Sequence, residues 1–131
     1  MLTKKFNVHY HQVDQMGVMH HAQYLYVLEQ ARINWLQNQG VSYAALEESG
    51  ILLPVVNISI DYKRPLRFED TFFVHTILEH AERSFVDFSY LLEDEQQKVL
   101  TKAVTRLVFV SAVSRQAIYC PEDLKSIFFR N

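Results

Sequence analysis

Asp14, Gly17 and the histidine pair His20 and His21 stand directly before a segment with helical periodicity. A carboxylate just outside a helix N-terminus lies beside backbone N–H groups that have no partner within the helix. A base and an anion-binding site then share one small volume, and attack on a carbonyl group needs that pairing. The spacing therefore indicates carbonyl chemistry as the first hypothesis for this chain.

A structural interpretation of Asp14 stands beside the catalytic one. An aspartate before a helix is more often a cap or a turn former than a catalyst. An N-cap residue, however, stands immediately before its helix, whereas Asp14 lies several residues ahead of the predicted start at Ala22, with Gly17 between them. The carboxylate therefore has no obvious structural task in the sequence.

Two helices are predicted between residues 22 and 50. From Ala22 to about Asn38, apolar side chains recur at spacings of three and four, which predicts the longest helix of the chain, with Gly40 as its stop. Ser42 fits the N-cap of a shorter helix that Gly50 ends. The long helix follows Asp14 and must position it.

Beyond residue 50 the hydrophobic period changes to two, which is typical of strands. The predicted strands cover residues 6–10, 55–62, 71–80, 84–92 and 99–113, and a short helix is predicted within 121–129. Consecutive strands with short connections indicate an antiparallel meander, and the long helix precedes most of them. The fold class is therefore α+β, with one domain over residues 1–131 and the helix laid on the sheet.

Composition excludes several classes of partner. The formal net charge of −2 argues against a general nucleic-acid or membrane-surface binder, which would show a basic excess. Cys120 is the only cysteine, so an internal disulfide is impossible and a reducing compartment is favoured. The sequence has neither an apolar signal region nor a stretch long enough to span a bilayer. We therefore expect a cytoplasmic protein without membrane insertion.

Five motifs, spread over nearly the whole chain, carry a resemblance to a known family: Asp14-Gln15-Met16-Gly17-Val18, His21-Ala22-Gln23-Tyr24, Glu29-Gln30-Ala31-Arg32, Leu53-Pro54-Val55-Val56 and Tyr62-Lys63-Arg64-Pro65-Leu66-Arg67. On these motifs the chain resembles the hotdog-fold acyl-CoA thioesterases, specifically the 4-hydroxybenzoyl-CoA thioesterase-like branch that includes proteins from Tol-Pal gene clusters. The resemblance implies a long central helix wrapped by a curved antiparallel sheet of about five strands. It also implies a homodimer with a continuous sheet and active sites at the subunit interface, and often a tetramer.

The resemblance assigns roles to two residues of the N-terminal motifs. Asp14 falls on the family's catalytic acid, which acts either as a general base for water or as a nucleophile toward the thioester carbonyl. His21 falls where a backbone N–H polarises the thioester oxygen, while its imidazole either orders water or substrate or only packs. The family often has an acid at the position of Gln12 and a tyrosine at that of His20, so the resemblance transfers substrate class rather than substrate identity.

Further candidates contact substrate in this interpretation. Gly17, Val18 and Tyr24 flank the two catalytic positions and complete the inner set. Glu29 precedes Arg32 by three residues on the same predicted helix, so it either pairs with that arginine or faces the site.

Lys63, Arg64 and Arg67 form the densest basic cluster of the sequence. They follow the strand that the family places near the subunit interface, where they would meet the CoA phosphates. The alternative is an ordinary solvated surface, since most lysines and arginines are exposed.

The sequence therefore predicts an enzyme that hydrolyses an acyl-CoA thioester to a free acid and CoA, without metal or cofactor. One alternative is a binding module for acyl-CoA or an acyl-carrier protein that does not turn it over, and another is a thioesterase acting on carrier-protein thioesters. A metal site formed by His9, His11, His20, His21 and Asp14 is a third, and a nucleophilic Cys120 a fourth.

Overall fold

Three helices and seven strands follow one another in residues 1–129, the part of the chain that the computed structural model describes. Their order is β1 (Leu2–Asn7), α1 (His21–Asn38), α2 (Tyr43–Glu48), β2 (Ile51–Leu52), β3 (Val55–Tyr62), β4 (Thr71–Ala81), β5 (Phe85–Asp94), β6 (Val99–Ser111), β7 (Ala117–Ile118) and α3 (Glu122–Phe128). Residues 130–131 of the predicted domain lie outside the described residues.

All seven strands belong to one antiparallel sheet. The path β1-β4-β5-β6-β2 forms its length, and β3 and β7 also pair with β6. The predicted α+β class and the antiparallel meander of β4, β5 and β6 are confirmed. The predicted number of about five strands is wrong, because β2 and β7 have two residues each and are too short to show a period. That the sheet curves around a central helix stays a prediction.

Helix α1 lays one face on the sheet. Its buried residues recur at spacings of three, four and one: Tyr24, Val27, Leu28, Ala31, Arg32, Trp35 and Leu36. The Trp35 ring meets the Phe88 ring of β5 edge-on, with centroids 5.1 Å apart. Aromatic contacts of this kind add to the burial of apolar area that holds α1 in place. Among residues 1–129, no helix has the length and apolar character needed to cross a membrane.

The N-terminal strand differs from its prediction. Pairing with β4 selects residues Leu2–Asn7 instead of 6–10. The chain then turns through a single 3₁₀ turn at Tyr10–Gln12, where the His9 N–H donates to Oε1 of Gln12 at 2.9 Å. The alternation at 6–10 therefore straddles the end of a strand and the start of a turn.

Strand β3 pairs with β6 along one edge only, and no strand of the described chain covers the other. The sequence predicted that its even-numbered side chains are buried. Instead Val56, Ile58 and Tyr62 are 54%, 42% and 41% exposed. An unpaired edge flanked by apolar side chains is a template for pairing with another chain.

Candidate active site

A tight hairpin holds Asp14 and leads directly into α1. Val13 and Met19 form a bridge, the Asp14 N–H donates to the Val18 carbonyl at 2.9 Å, and the Gly17 N–H donates to the Asp14 carbonyl at 3.0 Å. Gly17 has φ +79°, a conformation that glycine adopts without the steric cost other residues meet. The glycine of the first motif therefore closes the turn that carries the candidate catalytic acid.

The exposed Asp14 carboxylate also helps to form this turn. Its Oδ1 accepts the Met16 N–H at 2.8 Å and the Val18 N–H at 3.4 Å, whereas Oδ2 has no hydrogen-bond partner within residues 1–129. Asp94 makes the same pattern in the β5–β6 turn, with the amides two and four residues ahead. The sequence missed this structural task, and what distinguishes Asp14 from Asp94 is the helix that its hairpin enters.

That helix begins with one free amide donor. Its first residue is His21, and the two amides that follow are occupied: Ala22 N–H donates to Nδ1 of His20 at 3.1 Å, and Gln23 N–H donates to the His20 carbonyl at 2.9 Å. The His21 N–H has no partner among residues 1–129. Because it lies at the positive end of the α1 dipole, it is suited to stabilise a developing oxyanion.

Aromatic packing holds the His21 ring. The ring stacks on Tyr62 at the end of β3, with centroids 4.2 Å apart and planes 16° apart. Tyr24 meets Tyr62 edge-on, with centroids 4.9 Å apart. Burial raises the pKa of both tyrosines, so their hydroxyls stay protonated at neutral pH. Packing was one of the two roles left open for the imidazole, but Tyr62 was not among the predicted site residues.

A cavity of about 210 Å³ opens beside this aromatic cluster. Its lining residues are Val18, Met19, His21, Tyr24, Tyr62, Lys63, Arg64 and Pro65. The Met19 N–H donates to the Leu66 carbonyl at 2.7 Å, and a bridge between Val18 and Arg67 fixes the hairpin to the segment after β3. The structure thereby brings most of the predicted site residues to one end of the sheet.

The basic cluster is available to an anionic ligand. Lys63, Arg64 and Arg67 are exposed, and none of them takes part in an ion pair with another residue in 1–129. Arg64 lines both the 210 Å³ cavity and a neighbouring crevice of about 470 Å³, which also contains Arg67. Four carboxylates lie in that larger crevice: Glu69, Asp70, Asp94 and Glu95. The electrostatic preference for anions is therefore strongest at the smaller cavity, whose only charged side chains other than histidine are Lys63 and Arg64.

Glu29 lies apart from the other candidates. It lines a separate cavity of about 450 Å³ together with Arg32, Tyr43, Glu47, Ile33, Leu53, Pro54 and Val55. Its predicted ion pair with Arg32 is wrong, since no such pair occurs in the described chain. Arg32 is only 5% exposed and points inward, where it donates to the Tyr43 and Tyr90 hydroxyls at 3.2 Å each, while Glu29 faces solvent.

The histidines do not converge on a metal position. The His9 and His11 rings stack on each other at 5.7 Å, Nδ1 of His20 accepts a backbone amide, and His21 packs on Tyr62. Within the described residues, no group of three or more His, Cys, Asp or Glu side chains is placed to hold a metal ion.

Cys120 is expected to be unreactive in the folded protein. The residue is 5% exposed, and burial raises the pKa of its thiol to about 11, so about a thousandth is thiolate at pH 8. A thiol reagent at pH 8 should label the native protein at least about a hundredfold more slowly than protein unfolded in guanidinium. Equal labelling rates would show that this thiol is accessible and ionised.

Comparison with known proteins connects this geometry to a family. Residues 8–128 match the model of the thioesterase-like superfamily. The YneP protein of Bacillus subtilis (strain 168), whose name provisionally calls it an acyl-CoA thioesterase, is 33% identical over 115 residues. The alignment covers 88% of this chain and 83% of YneP.

Solved structures agree with the fold. A hypothetical protein of Thermus thermophilus, TT1821, is 31% identical with a TM-score of 0.91 and covers 97% of this chain and 96% of its own. The DHNA-CoA thioesterase of Staphylococcus aureus is 26% identical with a TM-score of 0.87, over 96% of this chain and 82% of its own. The expectation of a thioester hydrolase with the hotdog fold is confirmed at the level of the family. The chain belongs to the thioesterase-like superfamily.

Proposed function

We propose that this protein hydrolyses an acyl-CoA thioester to a free acid and CoA, with Asp14 as the catalytic carboxylate. The observation that carries the proposal is the free His21 amide at the start of α1, directly after the hairpin that bears Asp14. The names of YneP and of the S. aureus enzyme support the substrate class. The 4-hydroxybenzoyl-CoA thioesterase-like branch and a cytoplasmic location remain part of the proposal, supported by the five motifs and by the single cysteine.

The proposed mechanism uses two groups of this chain. The thioester oxygen accepts the His21 N–H, and Asp14 takes a proton from the attacking water or attacks the carbonyl carbon itself. In the water route, the C–S bond breaks as the tetrahedral intermediate collapses, and the CoA sulfur leaves with the proton. A general base typically contributes about 10²–10⁴-fold and one oxyanion donor about 2.7–4 kcal/mol, which together account for much of the catalysis needed.

CoA phosphates are the proposed ligands of Lys63, Arg64 and Arg67. The three side chains are exposed, lack ion-pair partners in the described chain, and adjoin the cavity that contains His21. Phosphate contacts from lysine and arginine are charge-assisted and therefore stronger than neutral hydrogen bonds. Gly17, Val18 and Tyr24 complete the proposed substrate contacts.

A homodimer formed through β3 completes the proposed site. The Lys63 N–H donates to the Leu100 carbonyl across the ladder, so alternation points the N–H groups of Ile58 and Ile60 away from β6 and toward the free edge. If all eight residues of β3 pair antiparallel with a second copy, Tyr62 lies opposite the partner subunit's Val55. The cavity that contains the partner's Glu29 then adjoins the His21 cavity, which gives that carboxylate its proposed place in the site. Further assembly into a tetramer is proposed on the family resemblance.

Thiol release from a panel of short, long and aromatic acyl-CoAs tests the proposal. We expect turnover of at least one ester, detected as free CoA thiol and quantified against the free acid by mass spectrometry. No release from any CoA ester, with release from acyl-carrier-protein esters, would transfer the activity to carrier-protein substrates. Tight binding of CoA esters without release from either class would make the protein a binding module.

A further inference from the structure

The ring of Tyr62 forms the base on which the candidate oxyanion amide rests. Within residues 1–129 the His21 imidazole makes no hydrogen bond, and its ring contact is the parallel stack on Tyr62 at 4.2 Å. His21 is also the first residue of α1, so the contact that holds its ring fixes the backbone position of its N–H.

This part of α1 needs support from outside the helix. The first turn of a helix has amides without intrahelical partners and is the part that frays. Its cap here is an imidazole nitrogen of His20, at 3.1 Å from the Ala22 nitrogen, whereas hydroxyl and carboxylate oxygens are the preferred caps. A stacking contact between His21 and a strand therefore supplies a restraint that the cap provides only in part.

Tyr62 is itself held firmly enough to act as that restraint. Its backbone is the last residue of β3 and lies opposite Thr101 in the β3–β6 ladder. The edge-on contact with Tyr24, which is 2% exposed, fixes the orientation of the ring. The chain of contacts runs from the core through Tyr24 and Tyr62 to His21.

We infer that Tyr62 is a positioning residue for the thioesterase reaction, which holds the His21 N–H where the thioester oxygen arrives by stacking under the His21 ring. The inference rests on the proposed function, and it assigns the work to the aromatic face of Tyr62 rather than to its hydroxyl. Such a residue acts on the transition state more than on substrate binding, because a small displacement of an oxyanion donor weakens its hydrogen bond to the developing charge.

Kinetics of two Tyr62 variants test the inference. Tyr62→Phe keeps the stack and should keep kcat within about twofold of the wild type, whereas Tyr62→Leu should lower kcat about tenfold with little change in KM. The matched control is Tyr119→Leu, because Tyr119 is an exposed tyrosine that packs on Arg83 outside the site. An equal loss in Tyr62→Phe and Tyr62→Leu, or a rise in KM alone, would overturn the inference.

A double-mutant cycle with His21 identifies the route of the effect. His21→Ala keeps the backbone amide and removes the ring on which Tyr62 acts. We therefore expect Tyr62→Leu to cause no further loss of kcat in the His21→Ala background. Full additivity of the two losses would show that Tyr62 does not act through His21 and would overturn the inference.

Amide hydrogen exchange supplies a readout that does not depend on turnover. In Tyr62→Leu, exchange in the first turn of α1 should speed up about tenfold, while Tyr62→Phe and the Tyr119→Leu control should resemble the wild type. Unchanged exchange in Tyr62→Leu would overturn the inference even if the wild type released no thiol from any ester. Absence of release from the wild type would refute the proposed function separately.

Discussion

Asp14→Asn is expected to lower kcat/KM for thioester hydrolysis by about 10²–10⁴-fold, the range that a positioned general base contributes. The substitution is nearly isosteric, and the amide oxygen of asparagine can still accept the Met16 N–H that Oδ1 accepts at 2.8 Å. The hairpin should therefore keep its shape while the site loses its base or nucleophile. The measurement is steady-state thiol release, with the thermal midpoint of each protein recorded alongside.

Asp94→Asn is the matched control for this variant. Oδ1 of Asp94 accepts the Gln96 and Lys98 amides at 2.9 Å each, which repeats the local hydrogen bonding of Asp14 in a turn between two strands. A loss of turn stability caused by the amide should therefore appear in both variants. We expect the loss of turnover in Asp14→Asn alone.

Two results would contradict this assignment. Turnover in Asp14→Asn that equals the wild type would leave Asp14 with the same structural task as Asp94 and would move the search for a base to the partner-facing Glu29. Equal losses of stability and activity in both variants would show that the turn, rather than the carboxylate charge, matters for the rate.

Local periodicity predicts the long elements of this fold well. α1 begins one residue before its predicted start, and β3 matches residues 55–62 fully. The N-cap at Ser42 is confirmed, since its hydroxyl accepts the Ala45 N–H at 3.1 Å. These features depend on residues within one or two turns of each other, which is the range over which a sequence pattern carries information.

Contacts between distant parts of the chain could not be predicted in this way. Arg32 has a glutamate three residues before it, but its guanidinium reaches instead to Tyr90 on β5. The stack of His21 on Tyr62 joins a helix to a strand that follows two further elements. In both cases the partner is chosen by the packing of α1 on the sheet, for which the local sequence gives no signal.

The exposed side of β3 illustrates the opposite error, in which the sequence describes more than one chain shows. The alternation in 55–62 predicts a strand with a buried face, yet Val56 and Ile58 are about half exposed in the single chain. If a second copy pairs with this edge, the apolar alternation has a physical explanation, since a paired edge removes these side chains from water.

Ile58→Pro is therefore expected to separate the protein into monomers and to lower thiol release by about 100-fold, because the site would lose the contribution of its partner. The Ile58 N–H points to the free edge, so proline removes a donor of the intersubunit ladder without removing one from the pairing of β3 with β6. Sedimentation analysis gives the oligomeric state, and circular dichroism checks that the monomer stays folded.

Ile58→Thr is the matched control, because threonine keeps both the N–H and a β-branched side chain suited to a strand. The control should stay oligomeric and active. A folded Ile58→Pro protein that still forms the wild-type oligomer would place the subunit contact elsewhere on the molecule. A folded, fully active Ile58→Pro monomer would show that Asp14 and the His21 amide need nothing from a partner, and the proposed role of the partner's Glu29 would then fall while the catalytic assignment of Asp14 stood.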